Sequence, residues 1–130
     1  MPRNNKAFGA AGEQATVRYL ESHGYTIVDT NVRPLGGMRR GEIDIVAWSG
    51  ETLAIIEVKT RRSQQSGQGT AVEAIDYRKR RQLLRLAMAY VAKYKLTDVP
   101  IRFDLVTAIT QTSGPLQISV LQHAFDAGDC

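Results

Sequence analysis

Two segments with alternating side chains, joined by a short link, constrain the fold of this chain more than any other feature. Glu42–Trp48 and Leu53–Thr60 are rich in β-branched residues, and Gly50 between them can adopt a positive φ angle. We predict a hairpin in which Trp48 faces Leu53. One face of this hairpin is then apolar throughout and must be buried: Ile43, Ile45, Ala47, Ala54, Ile56 and Val58.

The opposite face of the hairpin is apolar near the turn and charged at its open end. The register places Asp44 opposite Glu57 and Glu42 opposite Lys59. Facing carboxylates repel each other unless a proton or a cation intervenes, and oxygen ligands suit Mg²⁺ or Mn²⁺. Lys59 would then hold a water molecule or a phosphate oxygen. The alternative is a solvated face on which Lys59 neutralises Glu42 or Glu57.

A third carboxylate lies on the apolar face of a predicted helix. Ala7–His23 is predicted to be helical, and Glu13 shares a stripe with Val17 and Leu20. An acid among core-facing side chains is costly unless it is paired or bound to a metal. The alternative places Glu13 at the margin of the stripe, or near the helix N-terminus, which favours acids.

A cation interrupts the apolar stripe of a second helix. This helix is predicted from Ala71 or Asp76 to about Tyr94, and Lys79 lies on its apolar stripe. We interpret Lys79 as a long stem that covers apolar surface while its amine reaches water.

The order of predicted elements is α-β-β-β-α-β-β, which indicates an α/β fold with a mixed sheet flanked by helices. A helix between two strands normally makes a right-handed crossover, so strand four should run parallel to strand three or to a neighbour. The 130 residues suit one domain, with a core over about residues 7–124 and a tail at 125–130. Arg61–Thr70 is polar and is predicted to be a mobile loop. The remaining strands are predicted at Tyr25–Arg33, Ile101–Thr110 and Leu116–Ala124.

Composition excludes several classes of site and location. Cys130 is the only cysteine, which excludes a disulfide framework and a thiolate metal cluster. With only His23 and His123, the chain offers little for a zinc site, a haem site or a Ser-His-Asp triad. No apolar run approaches the ~20 residues of a membrane helix, and the N-terminus lacks an apolar secretory segment. We therefore expect a cytoplasmic protein without a membrane partner.

Positive charge is concentrated in the centre of the chain. Residues 33–85 hold 11 basic and 6 acidic side chains, out of 17 and 13 in the whole sequence. Basic residues precede the second strand, follow the third and recur on helix two: Arg39, Arg40, Arg61, Arg62, Arg78, Arg80, Arg81 and Arg85. Basic residues around an acidic centre are typical of a site that cuts a phosphate backbone. The alternative is a solvated surface without a polyanion partner.

Taken together, these motifs resemble the bacterial YraN family, from about Gly9 to Ile109. The matching positions are Glu13 on helix one, G-E-I-D-I at 41–45, E-V-K-T-R at 57–61 and R-F-D-L-V at 102–106. The family is grouped with archaeal Holliday-junction resolvases and resembles the restriction-endonuclease-like, or PD-(D/E)xK, superfamily. The resemblance implies a nuclease-like fold with an α-β-β-β-α-β core and an extra strand.

The same resemblance implies roles for individual residues. Asp44 and Glu57 would hold Mg²⁺ (or Mn²⁺) together with the backbone carbonyl of Val58. Lys59 would orient the attacking water and offset charge that develops on the phosphate, and Glu13 would complete the catalytic site. Asp44 follows an isoleucine instead of the superfamily's proline, which is usual for this family.

The activity implied by the resemblance is Mg²⁺-dependent hydrolysis of phosphodiester bonds in DNA, with branched or junction DNA as the substrate that the resolvases suggest. We expect DNA contacts from Arg39, Arg40, Arg61, Arg62, Lys79, Arg80 and Arg81. A two-fold junction would suit a homodimer. We weigh two alternatives: a non-catalytic or partner-dependent nucleic-acid-binding module that keeps the fold, and a protein-interaction domain with an incidental acidic face.

Overall fold

The computed structural model describes residues 2–37, 39–62, 75–111 and 113–129 of the chain. Within these ranges the main elements are two helices and five strands. In chain order they are α1 (Pro2–Ser22), β1 (Tyr25–Val32), β2 (Ile43–Ser49), β3 (Thr52–Arg62), α2 (Tyr77–Lys93), β4 (Ile101–Thr110) and β5 (Gln117–Phe125), followed by a short 3-10 turn at Ala127–Asp129. This order confirms the predicted α/β class.

The five strands form one mixed sheet in the order β1-β2-β3-β4-β5. Strands β1, β2 and β3 are successively antiparallel, and β5 runs antiparallel to β4. Strand β4 lies parallel to β3, with α2 as the connection between them, as the crossover rule predicts. The site described below lies where β2 and β3 separate at the open end of their hairpin.

The register of the β2–β3 hairpin follows from the alternation of its side chains. Trp48 pairs with Leu53, and the ladder continues to Ile45 opposite Ile56, as predicted. A slip of one residue would turn every buried side chain of a strand to the opposite face, so the pattern specifies the pairing strongly.

Helices α1 and α2 cover opposite faces of the sheet. On the α1 side, Leu20 packs against the predicted apolar face of the hairpin, including Ile45 and Ile56. On the α2 side, Leu83 and Leu86 pack against the apolar turn end of the other face. Burying each large aliphatic side chain stabilises the fold by roughly 1.5–3 kcal/mol, so both helices are fixed firmly on the sheet.

Ile43 is an exception to the predicted alternation. It was expected on the same face as Ile45, but it packs in the α2-side cluster, with Val32 against it. The strict alternation therefore holds along the paired part of the hairpin and ends at its open end.

The ends of the elements differ from the sequence-based bounds by a few residues, as is usual where helices and strands fray. Of the two predicted starts for α2, the structure confirms Asp76, which is the N-cap and accepts a hydrogen bond from the backbone N–H of Lys79. Phe125, which was assigned to the tail, is the last residue of β5 and stacks on Phe103 in the core. The predicted loop lies largely outside the described residues, at 63–70, as does the alternative helix start at Ala71. Among the described elements, neither helix combines the length and apolarity that crossing a bilayer requires.

Candidate functional site

Asp44 ends the pairing of β2 with β3. One of its carboxylate oxygens, Oδ2, accepts a hydrogen bond of 2.8 Å from the backbone N–H of Val58. The last ladder pair is Ile45 and Ile56. Beyond it, the side chain of Asp44 is the hydrogen-bond partner of the β3 backbone at Val58. Asp44 is half-buried and held at the point where the two strands separate.

The predicted facing pairs of Asp44 with Glu57 and of Glu42 with Lys59 are not present in the β2–β3 ladder, which ends at Ile45 and Ile56. Glu42 precedes β2 and forms an ion pair of 3.3 Å with Arg33, which follows β1. The prediction extended a regular register beyond the residues that pair. Because the strands part at Asp44, Glu42 is free to turn toward β1.

Three carboxylates converge beside this opening, and we call them the carboxylate cluster: Glu13, Glu42 and Asp44. One oxygen from each lies within 4.8 Å of the other two. Mg²⁺ takes oxygen ligands at about 2.0–2.1 Å, so opposite ligands of an octahedral ion are about 4 Å apart. The type and spacing of these donors fit a hard divalent cation after a small closure. Glu42 and Asp44 come from the hairpin face that the sequence predicts to be charged at its open end, and Glu13 comes from helix α1.

Two acids of the carboxylate cluster have raised pKa values. Burial, then the charge of Glu57, raises the pKa of Asp44 to about 8, against the lowering effect of the hydrogen bond from Val58. The pKa of Glu13 is also raised, first by burial and then by the charge of Glu42. A side-chain hydrogen bond from Asn31 opposes that shift. A bound cation would relieve both the repulsion and the desolvation.

Glu57 lies beside the carboxylate cluster and has two lysine partners. Its Oε2 lies 3.5 Å from Nζ of Lys59 and 3.3 Å from Nζ of Lys79, while its side chain is only 5% exposed. A buried carboxylate without such partners would be strongly destabilising. The amine of Lys79 thus pairs with Glu57, a contact that our interpretation of Lys79 as a stem with its amine in water did not include.

A close approach of α1 to β3 places Glu13 in the cluster. A Cβ atom on Gly12 would lie 2.5 Å from Oγ1 of Thr60, so this contact requires glycine. Thr16, one turn later and fully buried, donates a hydrogen bond of 2.7 Å to the Gly12 carbonyl. Glu13, the next residue, is thereby carried to the open end of the hairpin.

A second glycine brings α2 close to the loop before β2. Gly41 has φ +89°, a conformation that side chains rarely adopt, and a Cβ on it would collide with the amide of Gln82. The loop that carries Glu42 thus lies directly against α2.

The predicted DNA-binding residues are distributed over several surfaces. Arg39 and Arg40 are exposed in the loop before β2, and Arg40 donates to the carbonyl of Leu35 at 3.2 Å. Arg61 is half-buried and Arg62 exposed at the end of β3.

On α2, only some of the basic residues line a cavity. A cavity of about 430 Å³, which we call the α2 cavity, is lined by Lys59, Asp76, Arg78, Lys79, Gln82 and Arg85. Of the predicted contacts on this helix, Lys79 lines the cavity, whereas Arg80 and Arg81 do not belong to its lining. Arg81 instead lies over the ring of Tyr77, 5.7 Å from its centroid.

Sequence reasoning missed three residues that contact the site: Asn31, Arg33 and Gln82. Asn31 has φ 53°, a conformation that asparagine tolerates better than most residues. Arg33 pairs with the cluster, and Gln82 lines the α2 cavity. A polar residue at the end of a strand, such as Asn31 or Arg33, carries no periodic signal, and neither does Gln82 among the charged residues of α2. Only the tertiary contacts identify these three residues.

Asp104 belongs to a separate buried network. Its carboxylate accepts hydrogen bonds from Nε and Nη2 of Arg102, both at 2.8 Å, and from the Tyr25 hydroxyl at 3.0 Å. The backbone N–H of His123 donates a further bond of 2.9 Å. Asp104 is therefore the ion-pair partner of Arg102 within this network.

Comparison with known proteins finds one protein family and many relatives. The description of the family is "uncharacterised protein family UPF0102", and it matches residues 12–108. A UPF0102 protein of Symbiobacterium thermophilum is 41% identical over 95% of this chain and 99% of its own length. A UPF0102 protein of Geobacter metallireducens is 39% identical over 97% and 98%, and one of Geotalea uraniireducens is 36% identical over 95% and 92%.

Proposed function

The chain belongs to the UPF0102 family, the YraN-like family that its motifs predict, and we propose that it is a divalent-metal-dependent endonuclease that hydrolyses phosphodiester bonds in DNA. The observation that carries this proposal is the carboxylate cluster, whose oxygens lie within 4.8 Å of one another next to Glu57 and two lysines. The resemblance of the motifs to the restriction-endonuclease-like superfamily supports the same activity.

The proposed metal ligands are oxygen donors from three parts of the fold. Asp44 and Glu13 would hold Mg²⁺ or Mn²⁺ with Glu42, and Glu57 and the backbone carbonyl of Val58 extend this set along β3. The bound ion would supply Lewis-acid stabilisation of the phosphate and lower the pKa of a coordinated water. The raised pKa of Asp44 means that cation binding competes with a proton at this carboxylate.

The lysines supply positive charge where the phosphate would lie. Lys59 and Lys79 both contact Glu57, and both remain about one-third exposed, at 29% and 31% of the side chain. An amine at this place can orient water and offset negative charge that develops on the phosphate. Lys59, on the same strand as Glu57, is the proposed catalytic lysine, and Lys79 is a proposed phosphate contact.

The proposed substrate is DNA, and the more specific proposal is branched or junction DNA. Exposed arginines on both sides of the hairpin's open end, Arg39, Arg40 and Arg62, would contact the phosphate backbone on either side of the site. A homodimer would place two such sites on opposed strands of a four-way junction.

The test is calorimetric titration of Mn²⁺ into wild type, Asp44→Asn and Lys59→Met, followed by incubation of each with labelled linear, flapped and four-way DNA. We expect metal binding and nicking in wild type, neither in Asp44→Asn, and metal binding without nicking in Lys59→Met. Glu51→Gln, in the exposed link of the hairpin, is the control and should behave as wild type. Absence of both metal heat and nicking in the folded wild type would refute the proposal.

A second candidate function is a nucleic-acid-binding module without catalysis. The contact of Glu57 with two lysines favours it, because an acid neutralised in this way can be stable without a metal. In that case DNA binding should depend on salt, with the same slope in wild type and Asp44→Asn, and no cleavage should follow.

A further inference from the structure

We propose that the α2 cavity binds a phosphate of the cleaved strand next to the scissile one, so that α2 holds the substrate by a second phosphodiester. This inference rests on the proposed nuclease function and specifies how its substrate is held. The cavity, of about 430 Å³, is large enough for a nucleotide unit. Lys59 and Lys79 lie both in its lining and against Glu57, so it adjoins the proposed catalytic site.

The charge of the α2 cavity is positive and only partly balanced. Of the six described residues that line it, four are cations, and Lys59 and Lys79 share the carboxylate of Glu57. Asp76 is the only acid among these six, and it accepts a hydrogen bond from the Lys79 backbone as the helix N-cap. Within the described part of the chain, this leaves two guanidinium groups of the cavity without a balancing acid.

These two groups belong to Arg78 and Arg85. Both are exposed, and neither has an ion-pair partner among the residues that the structure describes. Together with Gln82 they are spaced four and three residues apart, so all three project from one side of α2. The spacing aligns two planar donors and an amide along one wall of the cavity.

A phosphodiester fits this set of donors, whereas an apolar ligand does not. A guanidinium offers parallel N–H donors that match two phosphate oxygens, and such charge-assisted bonds are about twice as strong as neutral ones. Gln82, held against Gly41, adds a neutral donor near the loop of the carboxylate cluster. A strand crossing the lysines would thus meet the metal site on one side and the arginines on the other.

The test compares two exposed cations of the same helix. Arg85→Gln alters the cavity, whereas Lys93→Gln removes a cation that lies over the ring of Tyr94 and outside the lining. Binding of a labelled single-stranded oligothymidine is measured by fluorescence anisotropy in EDTA, over a range of salt. We expect about tenfold weaker binding for Arg85→Gln and less than twofold for Lys93→Gln. The salt slope should fall by about 0.7 in the former, the loss of one contact with single-stranded phosphate.

The position of the contact is tested with oligonucleotides that carry one neutral methylphosphonate. In wild type, one position should weaken binding, and Arg85→Gln should be insensitive to that same substitution. Where cleavage occurs, this position should be adjacent to the cut bond. If the two variants weaken binding equally, if no single position matters, or if wild type does not bind DNA at low salt, the inference is wrong. If binding depends selectively on Arg85 but no DNA is cut, the phosphate site stands and the proposed nuclease function fails.

Discussion

Replacement of Asp44 by asparagine should stabilise the protein at neutral and higher pH, and it should remove the stabilisation that a divalent cation gives to wild type. The asparagine keeps an oxygen that can accept the 2.8 Å hydrogen bond from Val58. It removes a carboxylate whose ionised form is disfavoured by burial and by the charges of Glu57 and Glu13. The folded backbone should thus be preserved while the proton uptake and the proposed metal ligand are lost.

The magnitude follows from the shift of the pKa. In the folded protein the pKa of Asp44 is raised from 3.8 to about 8, in a titration coupled to its neighbours. Between these values the native state holds a proton that the unfolded chain has released. The stabilising contribution is therefore complete at low pH, and it is lost as the pH rises through the folded pKa. The free energy of unfolding of wild type should fall by up to about 1.4 kcal/mol per pH unit, or roughly 3 kcal/mol from pH 5 to pH 7.

Asp44→Asn should lack this slope in EDTA. At low pH, variant and wild type should be about equally stable, and at pH 8 the variant should be more stable by about 5 kcal/mol. Saturating Mn²⁺ should cut this difference by about half, because a ligand at about 100 times its Kd adds about 2.7 kcal/mol to wild type alone. Urea unfolding followed by circular dichroism, across pH and with EDTA or Mn²⁺, measures both effects.

The control for this experiment is Glu51→Gln, which removes one acidic charge from the exposed link of the hairpin. It should keep the pH slope and the gain in Mn²⁺. A slope in Asp44→Asn equal to that of wild type would show that proton uptake lies elsewhere, and the reasoning from burial and charge would be refuted.

Three further predictions concern the contacts that build the site and the core. Gly12→Ala should weaken Mn²⁺ binding at least tenfold, because the added Cβ pushes α1 away from Thr60. Adding Thr60→Ala should restore Mn²⁺ binding, because only the more distant Cβ contact of residue 60 then remains. Calorimetry measures both affinities, and a double variant without restored binding would contradict the close approach. Asp104→Asn should lower the free energy of unfolding, measured with urea, by about 3 kcal/mol, because it leaves Arg102 without its buried counterion. The affinity for Mn²⁺ should be unchanged. Leu86→Ala should cost about 2–5 kcal/mol by opening a cavity under α2, and a loss below 1 kcal/mol would contradict its full burial.

The hairpin was predictable from the sequence because alternation has a period of two and the apolar face must be buried. Its register from Trp48 opposite Leu53 to Ile45 opposite Ile56 is as predicted. The end of the ladder was not predictable, because nothing in the local pattern indicates that Asp44 takes the backbone N–H of Val58 as its partner.

The exceptions in the helical stripes identified candidate residues but not their partners. Glu13 and Lys79 stood out because each interrupts an apolar stripe. Whether Lys79 reaches water or a carboxylate depends on the face of the sheet that α2 covers, and the structure places its amine 3.3 Å from Glu57. The position of Arg85 in the lining of the α2 cavity likewise follows from tertiary packing.

The sequence by itself determined the order of the elements, the hairpin register and the acids that interrupt apolar patterns, because these depend on periodicity within short segments. Only the tertiary structure decided which charges meet. The contacts of Glu13 with Asp44 and of Glu57 with Lys79 join elements far apart in the chain, and they arise because α1 and α2 are fixed on opposite faces of one sheet. The close approach at Gly12 sets one of these distances, and steric fit between distant segments leaves no trace in local periodicity.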